Sequence, residues 1–389
     1  MKQTAFFQQL DAPFAWLDLD ALEENILQVK RMVPNQQIRI ATKSIRSVDV
    51  LKKVASLLGS QLSGWMTFSA AETDFLCEKG FDHFLLGYPT MENTTVRTLM
   101  QWIQKGKDIT FMVDSEAQMR HLNDLAMVLN VRVAVCIDVN VSLDLKAIYF
   151  GTRRSSITDH VTLKRLIQRS RAFKHIRLTS IMGYDAQLAG VGDRPVNQLK
   201  GAMIRQLQKK SKPFIQQKRQ KAVQLLQRHV GPLRFVNGGG SGSLRFNAMC
   251  PEVTEVTVGS ALYKPALFDA YEEMPFQPAA GFCLRVTRQP DLETIVLHGG
   301  GYIASGAVAI DKMPKPIDER LQFYTLEGAG EVQTPMKQPK GLYEEGDLVF
   351  FRHSKAGELC ERFQVLHTFN KDGYVGPYKT YRGEGQCFL

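Results

Sequence analysis

A chain of 389 residues exceeds one ordinary domain, and 44% hydrophobic with 23% charged residues supports sizeable cores rather than disorder. Lys and Arg outnumber Asp and Glu 49 to 39, so the surface attracts anions, whether nucleic acid, acidic membrane or a small phosphorylated ligand. No apolar run approaches the ~18 residues of a membrane span, and the start, MKQTAFFQQLDAPFAW, lacks a signal peptide's apolar region. The six cysteines (Cys77, Cys136, Cys250, Cys283, Cys360, Cys387) are scattered without CxxC pairs and read as free thiols. A soluble cytoplasmic protein is expected.

Near the start, Phe14–Leu19 reads as a β run, and Asp20 with Glu23 forms an Asp-x-x-Glu capping pattern before Leu22, Ile26, Val29 and Val33. Eight β-rich runs then alternate with helical patterns: Gln37–Lys43, Gln61–Thr67, Asp82–Tyr88, Ile109–Val113, Val131–Asp138, Ile176–Gly183, Leu233–Asn237 and Val253–Val258. The intervening helices include Val48–Leu58, Ser69–Lys79, Glu116–Leu129 and Ile204–Arg228. Eight βα units predict an α/β chain with a (β/α)8 TIM barrel over residues 20–270. The basic stretch Lys200–Arg228 has apolar residues at helical spacing, so it reads as a solvated helix face rather than a nucleic-acid site.

Beyond residue 270 the pattern changes to short β runs with Gly and Pro: Cys283–Thr287, Thr294–Leu297, Leu321–Thr325, Leu348–Arg352 and Arg362–Phe369. A second, mainly β domain over 271–389 follows. Phe14–Leu19 is surplus to the barrel's count, so residues 1–19 are assigned to that domain.

Reactive groups of such barrels lie at the C-terminal ends of the strands, with phosphate at the loops after strands seven and eight. Here the seventh run leads into Gly238-Gly239-Gly240-Ser241-Gly242-Ser243 and the eighth into Gly259-Ser260-Ala261-Leu262-Tyr263. Side-chain-poor turns in both places suit an anion. The first run delivers Lys43 to the mouth. Alone it could be an exposed strand-end lysine; beside a phosphate site it points to a Schiff base with pyridoxal phosphate.

Several segments carry a resemblance: the entry Phe14–Asn25, the lysine segment Arg39–Ser44, Met182-Gly183-Tyr184-Asp185, the glycine loop, and Gly346-Asp347-Leu348-Val349-Phe350-Phe351-Arg352-His353. In order and spacing the chain resembles the fold-type-III pyridoxal-phosphate enzymes with an alanine-racemase-like barrel, within them the D-threonine aldolase and D-serine dehydratase group. The resemblance implies a D-serine dehydratase-like second domain, a homodimer, and Lys43 as the cofactor-bearing lysine and α-carbon proton shuttle. It further implies Gly239, Gly240, Ser241 and Tyr263 as phosphate or ring contacts and Tyr184 near the cofactor. Arg153 or Arg154 would hold an anionic oxygen, and Tyr302, near His298, would be a second acid/base group. The group carries a divalent metal on His-x-Asp or His-x-Cys, whereas His353-Ser354-Lys355 puts lysine at the second ligand position. Two repairs stay open: Glu358 or Cys360 joins His353 around zinc or manganese, or Lys355 substitutes a fixed positive charge. With His353 and Lys355 as hydroxyl-activating groups, the expected activity is D-threonine-aldolase-like cleavage of D-β-hydroxy amino acids. The alternatives are D-serine dehydratase, racemase and non-catalytic pyridoxal-phosphate binding.

Overall fold

The computed structural model describes residues 4–145, 148–195, 197–307 and 309–389. Strand β1 (Phe14–Asp18) precedes a closed, all-parallel barrel made in chain order by β2 (Gln37–Ala41), β3 (Leu62–Thr67), β4 (Phe84–Leu86), β5 (Ile109–Val113), β6 (Val133–Asp138), β7 (Ile176–Gly183), β8 (Phe235–Gly238) and β9 (Glu255–Val258). β9 closes the ring onto β2 by pairing Val256 with Ile38 and Val258 with Ile40. Every barrel strand coincides with an expected run, because strands covered on both faces read as continuous apolar stretches.

The helices between them bury one face. In α1 (Leu19–Met32), Leu22, Ile26 and Val29 enter the core, four or three residues apart. Its cap differs from expectation: β1 ends at Asp18, whose carboxylate accepts the N–H groups of Asp20 and Ala21 at 3.0 Å. The helix therefore starts earlier, and Asp20 instead accepts the N–H of Lys371 at 2.6 Å. The basic stretch lies in α2 (Gln198–Val230), which buries Ile204, Leu207, Ile215, Val223 and Leu226 and turns most of its lysines outward.

The second unit is a mainly antiparallel sheet of β10 (Ala280–Asp291), β11 (Thr294–His298), β12 (Gln333–Lys337), β13 (Leu348–Arg352), β14 (Val365–Asn370) and β15 (Gly373–Lys379), with two-residue strands at Lys315–Pro316 and Gln322–Phe323. β1 lies inside this sheet, antiparallel to β10 and parallel to β14. Phe282 and Phe351 stack in its core with ring centroids 5.1 Å apart. The two units share polar contacts: Asn25 donates to the carbonyl of Gln277, Arg46 pairs with Glu361, and Arg352 with Asp269. No helix among the described residues is long and apolar enough to cross a membrane.

Candidate active site at the barrel mouth

A cavity of about 410 Å³ occupies the C-terminal mouth of the barrel, within the range of small-molecule sites. Lys43 lies in a short 3-10 turn, Thr42–Ser44, directly after β2, and enters this cavity. Its Nζ donates to the Tyr88 hydroxyl at 2.5 Å. The lysine's carbonyl is fixed from behind, where Arg46 Nε donates to it at 2.8 Å. Gly357 of the second unit packs so closely there that a Cβ would lie 1.9 Å from that oxygen.

Both glycine turns border the cavity through Gly239, Gly240, Ser241, Gly259 and Ser260. Gly239 has φ +87°, the left-handed region in which glycine is favoured, and Asn247 braces the turn by donating to the Ser243 carbonyl at 2.9 Å. At Gly259 a Cβ would lie 2.8 Å from the Ala41 carbonyl and 2.9 Å from Ser44, so the two turns and the lysine segment form one close-packed rim. Ser44 and Ser260 hydroxyls meet at 3.1 Å. Below the rim, Arg39 and Glu255 form a buried bidentate pair, and Asn237 links Glu255 to Thr257 at 2.7 and 2.8 Å.

The far wall carries Asp114, Asp138, Asn140, Arg154 and Tyr184. Burial, with Asp185 adding to it, pushes the Tyr184 hydroxyl up to about 12, so it is a neutral donor. The Arg154 guanidinium lies 5.8 Å from the centre of the Tyr184 ring. Tyr88, Asp114 and Asp138 were not singled out from sequence, although each stands at or just after the end of a barrel strand, where the barrel rule directs attention.

Other sequence candidates fall elsewhere. Arg153 lies over the Tyr149 ring at 4.1 Å, outside the cavity lining. Tyr263 does not reach the cavity either: the one-turn helix Ser260–Tyr263 rotates it into the core, where its hydroxyl donates to the Ile45 carbonyl at 3.1 Å. Tyr302 packs against Phe282 and Phe363 in the second unit. His353 is fully enclosed, with Nδ1 3.1 Å from the Ala280 carbonyl and burial lowering its pKa to about 4. Lys355 is tied to Ser305 at 2.8 Å and Glu358 at 3.1 Å, and Cys360 Sγ points to the Ile45 carbonyl. None of these three lines the cavity.

His353 Nε2 has no partner among the described residues, a suitable single donor for a metal. The rest of a site is missing: no three His, Cys, Asp or Glu side chains among the described residues converge on a common point. The donor set thus does not fit zinc or manganese at His353 and Cys360. Pyridoxal phosphate does fit the mouth, which offers an amine, two rim turns that side chains would fill, and hydroxyl and guanidinium donors.

Residues 17–266 match the family described as alanine racemase, N-terminal domain. Among solved structures, D-threonine aldolase from Filomicrobium marinum superposes with TM-score 0.82 at 18% identity, over 98% of this chain and 97% of that one. D-threo-3-hydroxyaspartate dehydratase from Delftia sp. HT23 follows at TM-score 0.76 and 16% identity, covering 96% and 98%. Alanine racemase from Clostridium difficile 630, in complex with cycloserine, gives 0.62 and 15%, covering 95% and 98%. No curated protein sequence matches significantly. With its barrel matched almost from end to end, the chain belongs to the alanine racemase N-terminal domain family, a branch of the fold-type-III pyridoxal-phosphate enzymes.

Proposed function

We propose that the protein is a pyridoxal-phosphate-dependent lyase of D-β-hydroxy amino acids, cleaving them to glycine and an aldehyde. The observation that carries this reading is the placement of Lys43 beside both side-chain-poor turns on adjacent strands, β8, β9 and β2, of one ring. When bound, pyridoxal phosphate supplies the aldehyde that Lys43 attacks and a ring that accepts the electron pair released at the α-carbon.

Each part of the site has its own task. The turns at Gly239–Ser241 and Gly259–Ser260 border the cavity and would hold the phosphate. Tyr88 aims the Lys43 amine, which then holds or returns the proton at the α-carbon. Arg154 and Tyr184 offer donors to an anionic oxygen. Met66, Met182 and Phe268 supply apolar wall that limits water around the reacting carbon. The similarity to the Filomicrobium aldolase favours carbon–carbon cleavage and D substrates. Neither the His353 nor the Lys355 side chain lines the cavity, so this reading rests no step on them.

The test is direct. Purified protein given pyridoxal phosphate should develop visible absorption, and borohydride should fix the cofactor on Lys43, as mapped by peptide mass. D-threonine should then yield glycine and acetaldehyde, with L-threonine inert. A reducible adduct persisting in Lys43→Ala refutes the assignment, 2-oxobutanoate as the main product makes the enzyme a dehydratase, and cofactor binding without product makes it a binding protein.

A further inference from the structure

The wall across from Lys43 carries two carboxyl groups, Asp114 directly after β5 and Asp138 at the end of β6. In an eight-strand ring, β6 lies four strands from β2 in either direction, so Asp138 and Lys43 stand on opposite sides of the mouth. The two carboxyl groups differ in their bonding. Asp114 accepts the Ser156 N–H at 2.7 Å and so has a structural partner. The Asp138 carboxyl receives no hydrogen bond from any described residue, although its backbone carbonyl accepts the Ser155 hydroxyl at 2.7 Å. A carboxyl that lines the cavity without a hydrogen-bond partner keeps its oxygens for a ligand.

We propose that Asp138 exchanges a proton with the β-hydroxyl of the bound amino acid, accepting it in carbon–carbon cleavage when ionised and donating to the departing oxygen in elimination when protonated. This rests on the pyridoxal-phosphate reading above and adds to it the group that chooses between the two outcomes. In cleavage, the hydroxyl proton passes to the carboxylate and the O–H pair becomes the aldehyde π bond. The Cα–Cβ pair goes to Cα, which then takes a proton to become glycine. In elimination, Lys43 removes the Cα proton and its pair forms the Cα–Cβ double bond. The Cβ–O bond breaks with its pair, and the Asp138 proton completes the water that leaves. Hydrolysis of the resulting enamine gives a keto acid and ammonia.

The surroundings place both forms of Asp138 within reach. Burial, reinforced by Asp114 and opposed by Arg154, raises its carboxyl to about 7. Cys136, two residues earlier on the same strand, is kept a neutral thiol by burial, and Tyr184 at the end of β7 stays a neutral phenol. An acid/base group is most effective with a pKa near the working pH.

The experiment uses full-length protein with pyridoxal phosphate, the wild type beside Asp138→Asn, and D-threonine as probe. In the wild type the ratio of acetaldehyde to 2-oxobutanoate should rise as pH increases through about 7. Asp138→Asn should lose total product formation by ~100-fold or more, while the cofactor still attaches to Lys43. Independently of turnover, infrared spectra of cofactor-free Glu72→Gln protein, which lacks the other carboxyl raised to about 7, should show a protonated-carboxyl band that titrates away through about 7. Adding Asp138→Asn should remove that band, and the titration of the single Glu72→Gln protein stands even where the double variant folds poorly. Equal turnover in a cofactor-loaded Asp138→Asn, or no titrating carboxyl band in the Glu72→Gln protein, overturns the inference alone. Failure of the wild type to take up the cofactor at Lys43 overturns the parent reading.

Discussion

Glu72 offers a sharp test of the electrostatics that tie the two units together. It sits in the first turn of the helix Ala70–Glu78, fully buried, where its carboxyl accepts the Phe68 N–H at 2.8 Å and the Tyr381 hydroxyl at 3.0 Å. Burial outweighs these bonds and the nearby Arg46, and raises the group from an ordinary 4.5 to about 7. Between those values the folded chain keeps a proton that the unfolded chain has released, so folding stability falls as pH rises across that window. At ~1.4 kcal/mol per pH unit, ionised Glu72 costs the folded state about 3 kcal/mol above pH 7 and nothing below pH 4.5. Glu72→Gln keeps the shape and removes the charge. Urea unfolding of both proteins, followed by circular dichroism across this pH range, should show the variant gaining about 3 kcal/mol on the wild type from the acid to the alkaline end. Parallel stability curves for the two proteins would refute the reasoning.

Other perturbations probe the rim, the metal question and the sheet. Gly259→Ala puts a methyl 2.8 Å from the Ala41 carbonyl and should weaken pyridoxal-phosphate binding by about tenfold or more, measured by absorbance titration. Because the described donors do not assemble a metal site, dialysis against EDTA should leave product formation unchanged; loss restored by zinc or manganese would show that His353 finds partners. Phe282→Ala removes a stacked ring from the second core and should cost about 3–5 kcal/mol in urea unfolding.

The barrel was legible because its short β-rich runs alternate regularly with helical patterns, even where Ser63 and Gly64 interrupt β3 or Arg39 and Glu255 sit in β2 and β9. The second sheet was less so. β15 runs Gly-Tyr-Val-Gly-Pro-Tyr-Lys and β12 contains Pro335, and such residues read as breaks although edge pairing tolerates them. In the site, Lys43 and the glycine turns announced themselves through strand-end position and absence of side chains. Asp138 and Tyr88 ended expected strands too, but a lone polar residue there looks like surface until the ring closes around it. Tyr263 and Arg153 erred for a related reason: sequence places a residue near a mouth without saying which way a one-turn helix or an arginine pair will face.

The position of β1 has a consequence for biosynthesis. β1, at Phe14–Asp18, is held between strands that end at residues 291 and 370. During translation the barrel's strands are all available once residue 258 has emerged, while one flank of β1 stays bare until Val365–Asn370 follow. The pairing of β1 with β14 thus closes after the barrel's strands are available, and the same long-range ordering of the second unit seats Gly357 against the carbonyl of Lys43.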